Sequence, residues 1–202
     1  LTEFLQTTFQ YLQQNWLEVS GVITGFICVY LNARENIWGW PMGIISCFLY
    51  IFIMYQAQFY ADMWLQVVYV FLNAYGWYEW LYGGANKQAL TVSHILPKEI
   101  LILLPAGILL IGGAYYYFDT QTDAVQPFWD SFNTAFSLVA IYLQAKKRLE
   151  SWLVWITVDI IYIPLFYFRG LYPTAGLYLA YLVLAAVGYL LWRKSMLKQV
   201  SA

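Results

Sequence analysis

The chain has 202 residues, of which 62% are hydrophobic and 21% aromatic, while 10% are charged and the formal net charge is −1. A water-soluble domain carries roughly 25% charged residues because its surface faces water, so the composition excludes that class and predicts an all-α integral membrane protein. No basic run with interleaved aromatics is present, which argues against nucleic acid as a partner.

Residues 1–15, with Phe4, Leu5, Phe9 and Tyr11 among polar neighbours, predict a short amphipathic helix at the interface. No basic stretch precedes an apolar core there, so no cleavable signal peptide is expected. Stretches able to cross a bilayer core of ~30 Å follow at 16–33, 40–57, 63–82, 99–118, 129–145, 152–168 and 174–192, which makes seven transmembrane helices. Cys28 and Cys47 lie in apolar runs without metal-ligand neighbours and read as small core residues. Pro41 and Pro173 fall in the first turns of their spans, where the missing N–H costs least. Pro105 and Pro164 lie inside the fourth and sixth spans and predict bends. The fourth span also offers Gly107, Gly112 and Gly113 for close packing.

A shift of 112 positions lays the first part of the chain on the last without a gap. Gly76 falls on Gly188, Trp40 on Trp152, Tyr50 on Tyr162, Tyr69 on Tyr181 and Trp80 on Trp192. Such self-similarity predicts a tandem duplication: one repeat over about 16–82, a linker helix over about 99–118 and a second repeat over about 129–192, all within a single membrane domain. An even number of crossings separates the repeats, so they are expected to run parallel, as a 3+1+3 layout related by an axis along the membrane normal. Arg34, Lys87, Lys98, Lys146, Lys147, Arg148, Arg193, Lys194 and Lys198 all fall on one side of this topology, and only Arg169 on the other. The positive-inside bias therefore places the N-terminus outside and the C-terminus in the cytoplasm.

On the third span Gln66, Tyr69, Asn73, Trp77 and Trp80 recur at steps of three and four, making one face polar and aromatic. Lipid offers such a face no hydrogen-bond partner, so it must turn toward protein or a wet cavity. The sixth span carries Trp152, Trp155, Asp159 and Tyr162 on one face, and the seventh contributes Tyr178, Tyr181 and Trp192. Asp159 stands near mid-membrane, where a charged side chain costs roughly 2.5 to 3.5 kcal/mol unless compensated. The candidate binding set is thus Gln66, Tyr69, Asn73, Trp77, Trp155, Asp159, Tyr162, Tyr178 and Tyr181. Trp16, Trp38, Trp64 and Trp192 stand at span ends, where an interfacial belt accounts for them. Glu18 and Glu79 read as solvated, and His94 as an inert loop residue.

Enzyme chemistry finds little support, since no Ser or Cys has a base at workable spacing and neither cofactor nor metal is expected. A Schiff-base photoreceptor needs a lysine in the last span, and 174–192 has none. A duplicated bundle with a lined midplane suits alternating access, with a receptor that binds without moving its ligand as the competing class.

The 3+1+3 layout, the Asn73-Ala-Tyr-Gly-Trp-Tyr-Glu-Trp80 motif and the Asn36-Ile-Trp-Gly-Trp40 entry to the second span resemble the PnuC family of vitamin transporters. The sugar transporters of the SWEET type share the layout but match these aromatic motifs less well. The resemblance implies a bacterial inner-membrane protein, a homotrimer, that takes up nicotinamide riboside by facilitated diffusion while a cytoplasmic kinase traps the product. Thiamine and riboflavin are the alternative cargoes, because related members carry them.

Overall fold

The computed structural model describes residues 16–56, 60–121, 127–168 and 172–200, and seven long helices run through them. They are α1 (Trp16–Ala33), α2 (Gly39–Gln56), α3 (Tyr60–Tyr82), α4 (Pro97–Gln121), α5 (Pro127–Ala145), α6 (Ser151–Phe168) and α7 (Tyr172–Val200). The amphipathic segment expected over 1–15 lies outside the described residues, as does Arg169. Helix α7 continues past the expected limit at 192, and its extension exposes Arg193, Lys194 and Lys198.

Among the described residues five helices, α1, α2, α4, α6 and α7, are long and apolar enough to cross a bilayer. Helices α3 and α5 have the length but carry more polar residues, which lowers their hydropathy. Much of that polarity is turned inward: Asn73 of α3 and Ser131, Asn133, Ser137 and Gln144 of α5 are all buried. Polar groups inside a bundle escape lipid and keep the outer surface apolar.

Local chemistry sets several helix ends. Asn36 Oδ1 accepts the backbone N–H of Trp38 at 3.0 Å, which caps the start of α2. At the start of α4, Glu99 Oε2 accepts the Leu96 N–H at 2.8 Å while the Glu99 N–H donates to Leu96 O at 2.9 Å. This is a reciprocal cap, and Pro97 at the first helical position lacks only an N–H that the helix would leave unpaired. Pro105 and Pro164 sit within helices that continue past them.

Helix α1 packs on α2 and α2 on α3; α5 packs on α6 and α6 on α7; α1 also meets α7, and α3 meets α5. Shifting each contact by 112 residues reproduces another member of this set. The turns after α1 and α5 share most of their backbone bonds. Asn36 N donates to Leu31 O at 2.9 Å, and Arg148 N to Leu143 O at 2.9 Å. Gly39 N donates to Asn36 O and Ser151 N to Arg148 O, both at 3.0 Å. Each turn also holds one non-glycine residue in the left-handed region, Glu35 at φ 56° and Lys147 at φ 49°.

The core lies where the two sets of helices meet. Trp40, Trp80, Trp152 and Trp192 are all buried there. Trp40 meets Trp80 edge-on at 5.4 Å and 87°, Trp152 meets Trp192 at 5.3 Å and 86°, and Trp80 and Trp192 join the pairs at 5.7 Å. Trp80 Nε1 donates to Gln144 O and Trp192 Nε1 to Asn32 O, both at 3.0 Å, so each half caps the other's helix end. Trp192 is therefore a core residue and not a belt residue, whereas Trp16, Trp38 and Trp64 are well exposed, as a belt requires.

Three other expectations change. Gly107, Gly112 and Gly113 of α4 have nothing within 4 Å of an added Cβ, because α4 packs chiefly on α5 and leaves Leu101, Leu104, Ile108 and Leu109 exposed. Glu79 pairs with Lys146 at 2.9 Å, with 14% of its side chain exposed, so it is not a solvated end residue. His94 Nδ1 lies 2.7 Å from Glu150 Oε1, which ties the α3–α4 loop to the α5–α6 turn.

Candidate functional site

A cavity of about 270 Å³ opens above the tryptophan cluster, and its lining comes from both halves of the chain. Helices α1, α2 and α3 supply Gly25, Cys28, Asn32, Gly43, Ser46, Cys47, Tyr69 and Asn73. Helices α5, α6 and α7 supply Ser137, Gln144, Trp155, Asp159, Tyr162, Tyr178 and Tyr181. Trp40 and Trp152 close one end. Two glycines let these rings in. A Cβ at Gly76 would collide with the Trp40 ring, and one at Gly188 would stand 2.7 Å from the ring of Trp152.

Of the residues expected to bind ligand, Tyr69, Asn73, Trp155, Asp159, Tyr162, Tyr178 and Tyr181 meet in this cavity. Gln66 and Trp77 do not line it, and Trp77 is 38% exposed. The inward edge of α3 runs through Tyr69, Asn73, Gly76 and Trp80, and close packing of Gly76 on Trp40 fixes that rotation. Trp77 and Gln66 are thereby carried to the flank.

Asn73 is 5% exposed, and its amide is held in place: Nδ2 donates to Tyr69 O at 2.8 Å, and Gly43 leaves room for Oδ1 where any side chain would strike it. Ser46 Oγ donates to Gly21 O at 3.0 Å, which leaves its lone pairs for an incoming hydroxyl. Trp155 Nε1 donates to Gln144 Oε1 at 2.8 Å, fixing the ring against the cavity wall. Tyr178 meets Tyr162 at 4.9 Å and Tyr181 at 6.0 Å between ring centroids, so three phenols form a continuous aromatic side.

Sequence reasoning missed Asn32, Ser46, Ser137 and Gln144 in this lining. The 112-residue shift held a usable signal, because it pairs Asn32 with Gln144, two amides at equivalent helix ends. It also shows where the walls differ. Gly43 and Asn73 on one side correspond to Trp155 and Ala185 on the other, and Cys47 corresponds to Asp159. At these mismatched positions one wall carries the Asn73 amide and small residues, and the other an indole and a carboxyl, while Tyr69 and Gln144 give each wall a phenol and an amide in common with its mate.

Beneath the tryptophans, Lys147 Nζ lies 4.5 Å from the centroid of the Trp80 ring and 2.9 Å from Glu35 Oε2. Glu35 and Lys147 are themselves partners in the 112-residue register, so the pair joins the two halves at that end.

Comparison with known proteins agrees with this picture. The family model described as nicotinamide mononucleotide transporter matches residues 15–194. The nicotinamide riboside transporter PnuC of Escherichia coli is 28% identical over 207 residues, covering 90% of this chain and 86% of that protein. The riboflavin/roseoflavin transporter RibM of Streptomyces davaonensis is 24% identical over 180 residues, covering 88% and 84%. The crystal structure of the vitamin B3 transporter PnuC superposes with a TM-score of 0.74 at 23% identity, covering 97% of this chain and 88% of that one.

Proposed function

Because the chain belongs to the nicotinamide mononucleotide transporter family, a family of transporters and not of enzymes, we propose that its cargo is nicotinamide riboside, moved by facilitated diffusion through alternating access. The observation that carries this reading is a cavity lined from both halves of the chain, with an aromatic wall facing an amide wall. A flat pyridinium ring gains roughly 0.5 to 2 kcal/mol from each aromatic face it covers as a cation–π contact. The ribose hydroxyls and the carboxamide suit the amide of Asn73 and the hydroxyl of Ser46.

The riboside is favoured over the mononucleotide. Among the described residues lining the cavity there is no Lys, Arg or His, so a phosphate would meet no compensating cation from them.

Alternating access rests on a 3+1+3 layout of seven spans, with α1–α3 and α5–α7 as parallel repeats and α4 as the linker. The bonds that recur 112 residues apart support this reading, as does the exchange of tryptophan caps between the halves. The chain sits in a bacterial inner membrane as one domain, with its N-terminus outside and its C-terminus in the cytoplasm. Lys146, Lys147 and Arg148 in the α5–α6 turn and Arg193 and Lys194 at the end of α7 mark the cytoplasmic side. A homotrimer accounts for the uncovered apolar face of α4, and a cytoplasmic kinase traps the product.

Titration calorimetry of the purified protein with nicotinamide riboside, thiamine, riboflavin and nicotinamide mononucleotide tests the cargo. Nicotinamide riboside is expected to bind tightest and the mononucleotide at least about tenfold more weakly, a gap of 1.4 kcal/mol. Tighter binding of the mononucleotide or of riboflavin would overturn the assignment.

A further inference from the structure

We propose that Asp159 is the group with which this cavity reads the formal positive charge of its cargo, so that one position decides between cationic and neutral vitamins. The inference rests on the cavity being the binding site, as proposed above. Asp159 lies on α6 one turn beyond Trp155 and three residues before Tyr162, so the acid and both rings share a helix face. It is 4% exposed and lines the cavity. Among the described residues it makes no hydrogen bond and no ion pair. A carboxyl kept only for packing would be expected to bond a tyrosine hydroxyl or a free carbonyl, because an unpartnered buried carboxyl is costly.

The rest of the lining isolates this charge. Among the described lining residues Asp159 is the only acid, and no base accompanies it. Its counterpart in the 112-residue register is Cys47, which is neutral, so the carboxyl makes the two walls electrically unequal. Trp155 and the phenols Tyr162, Tyr178 and Tyr181 stand on the same side as the carboxyl. The faces of aromatic rings and a carboxylate both attract a cation, so they reinforce each other. The charged ring of the cargo is thereby directed toward α6 and α7, and its sugar toward Asn73 and Ser46. A neutral flat ring gains the stacking but not the charge.

Calorimetry on the full chain tests this with two ligands of one shape: nicotinamide riboside and the uncharged C-riboside of benzamide. The wild type is expected to prefer the cation by at least about tenfold, because the Coulomb term acts in low dielectric. Asp159→Asn should lose about tenfold or more for the cation while its affinity for the neutral analogue changes less than about twofold. Asp159→Glu, which keeps the charge, should keep the preference. Equal loss of both ligands in Asp159→Asn, or an unchanged affinity for the cation, overturns the proposal. The wild-type arm stands even if that variant does not fold, since equal affinity for the two ligands is already a contradiction. If the wild type binds thiamine, a thiazolium cation, but not nicotinamide riboside, the riboside reading ends; Asp159→Asn must then weaken thiamine by about tenfold or more, and an unchanged thiamine affinity overturns the proposal. A wild type that binds only riboflavin ends the Asp159 proposal itself.

Discussion

Gly76 and Gly188 show how much rests on a missing side chain. Each is where an indole passes between helices, Trp40 at one and Trp152 at the other, and those indoles also wall the cavity. Adding a methyl group at Gly188 forces a ring that has 1% exposure and no free space to move, and overpacking of this kind costs about 1–3 kcal/mol. Gly188→Ala is therefore expected to lower the thermal midpoint in detergent and to weaken ligand binding together. Gly107→Ala is the control. Nothing lies within 4 Å of its Cβ, so the substitution should leave the midpoint unchanged or raise stability by up to about 1 kcal/mol through helix propensity. Equal effects at the two positions would contradict the packing described. The sequence register makes the equivalence of Gly76 and Gly188 visible, because identical residues align. It does not disclose their partners, since contact with Trp40 depends on how α2 is rotated against α3. The same rotation decides which polar residues of α3 face inward, so Asn73 is legible as a cavity residue while Trp77 next to it is not.

Among the elements, the α5–α6 turn holds the most connections. Lys146 pairs with Glu79 of α3, Lys147 with Glu35 after α1, Arg148 with Glu99 of α4 at 2.8 Å, and Glu150 with His94. Ser93 and Leu149 add backbone bonds, Ser93 N to Lys147 O at 3.1 Å and Leu149 N to Ser93 O at 2.9 Å, which stitch the α3–α4 loop to the turn. Sequence patterning sorts these basic residues to one side of the membrane, because sorting needs only topology. Their acidic partners Glu79, Glu35 and Glu99 come from three separated segments, so pairing becomes visible only once the helices are placed. Burial pulls the Lys146 ammonium down, yet its bonds to Tyr75 and Glu79 outweigh burial and hold it above the ordinary lysine range. A base raised on folding stabilises the fold fully below its unfolded value of about 10.4, and that contribution disappears as pH climbs through the folded value. The thermal midpoint of the wild type should exceed that of Lys146→Met at pH 8, and the gap should close at alkaline pH above about 10.4. A gap that stays constant across this window would show that the charge of Lys146 is not what holds α3 to the turn.

On the scale of the whole molecule, function depends on two halves that close around one cavity. The four tryptophans, the crossed indole bonds and the Glu35–Lys147 pair seal one end, and each of these features has its counterpart 112 residues away. Features related in this way lie at the same end of the bundle, so under the proposed alternating access they are expected to seal that end together and to be given up together when the cavity opens there. The number of long helices is readable from the sequence because span length survives without tertiary information. The unequal walls are not, since they depend on which members of mismatched pairs such as Gly43 with Trp155 point into the cavity. Coupled pumping needs an intramembrane ion site, and Asp159, the only acid among the described cavity-lining residues, is proposed above to read the cargo. Under the proposed function, uptake is therefore expected to follow the substrate gradient alone. The most direct measurement is uptake of labelled nicotinamide riboside into proteoliposomes that contain no kinase, with and without imposed proton or sodium gradients. The internal concentration should rise to the external one and stop there under every condition; accumulation above it that follows either gradient would contradict facilitated diffusion.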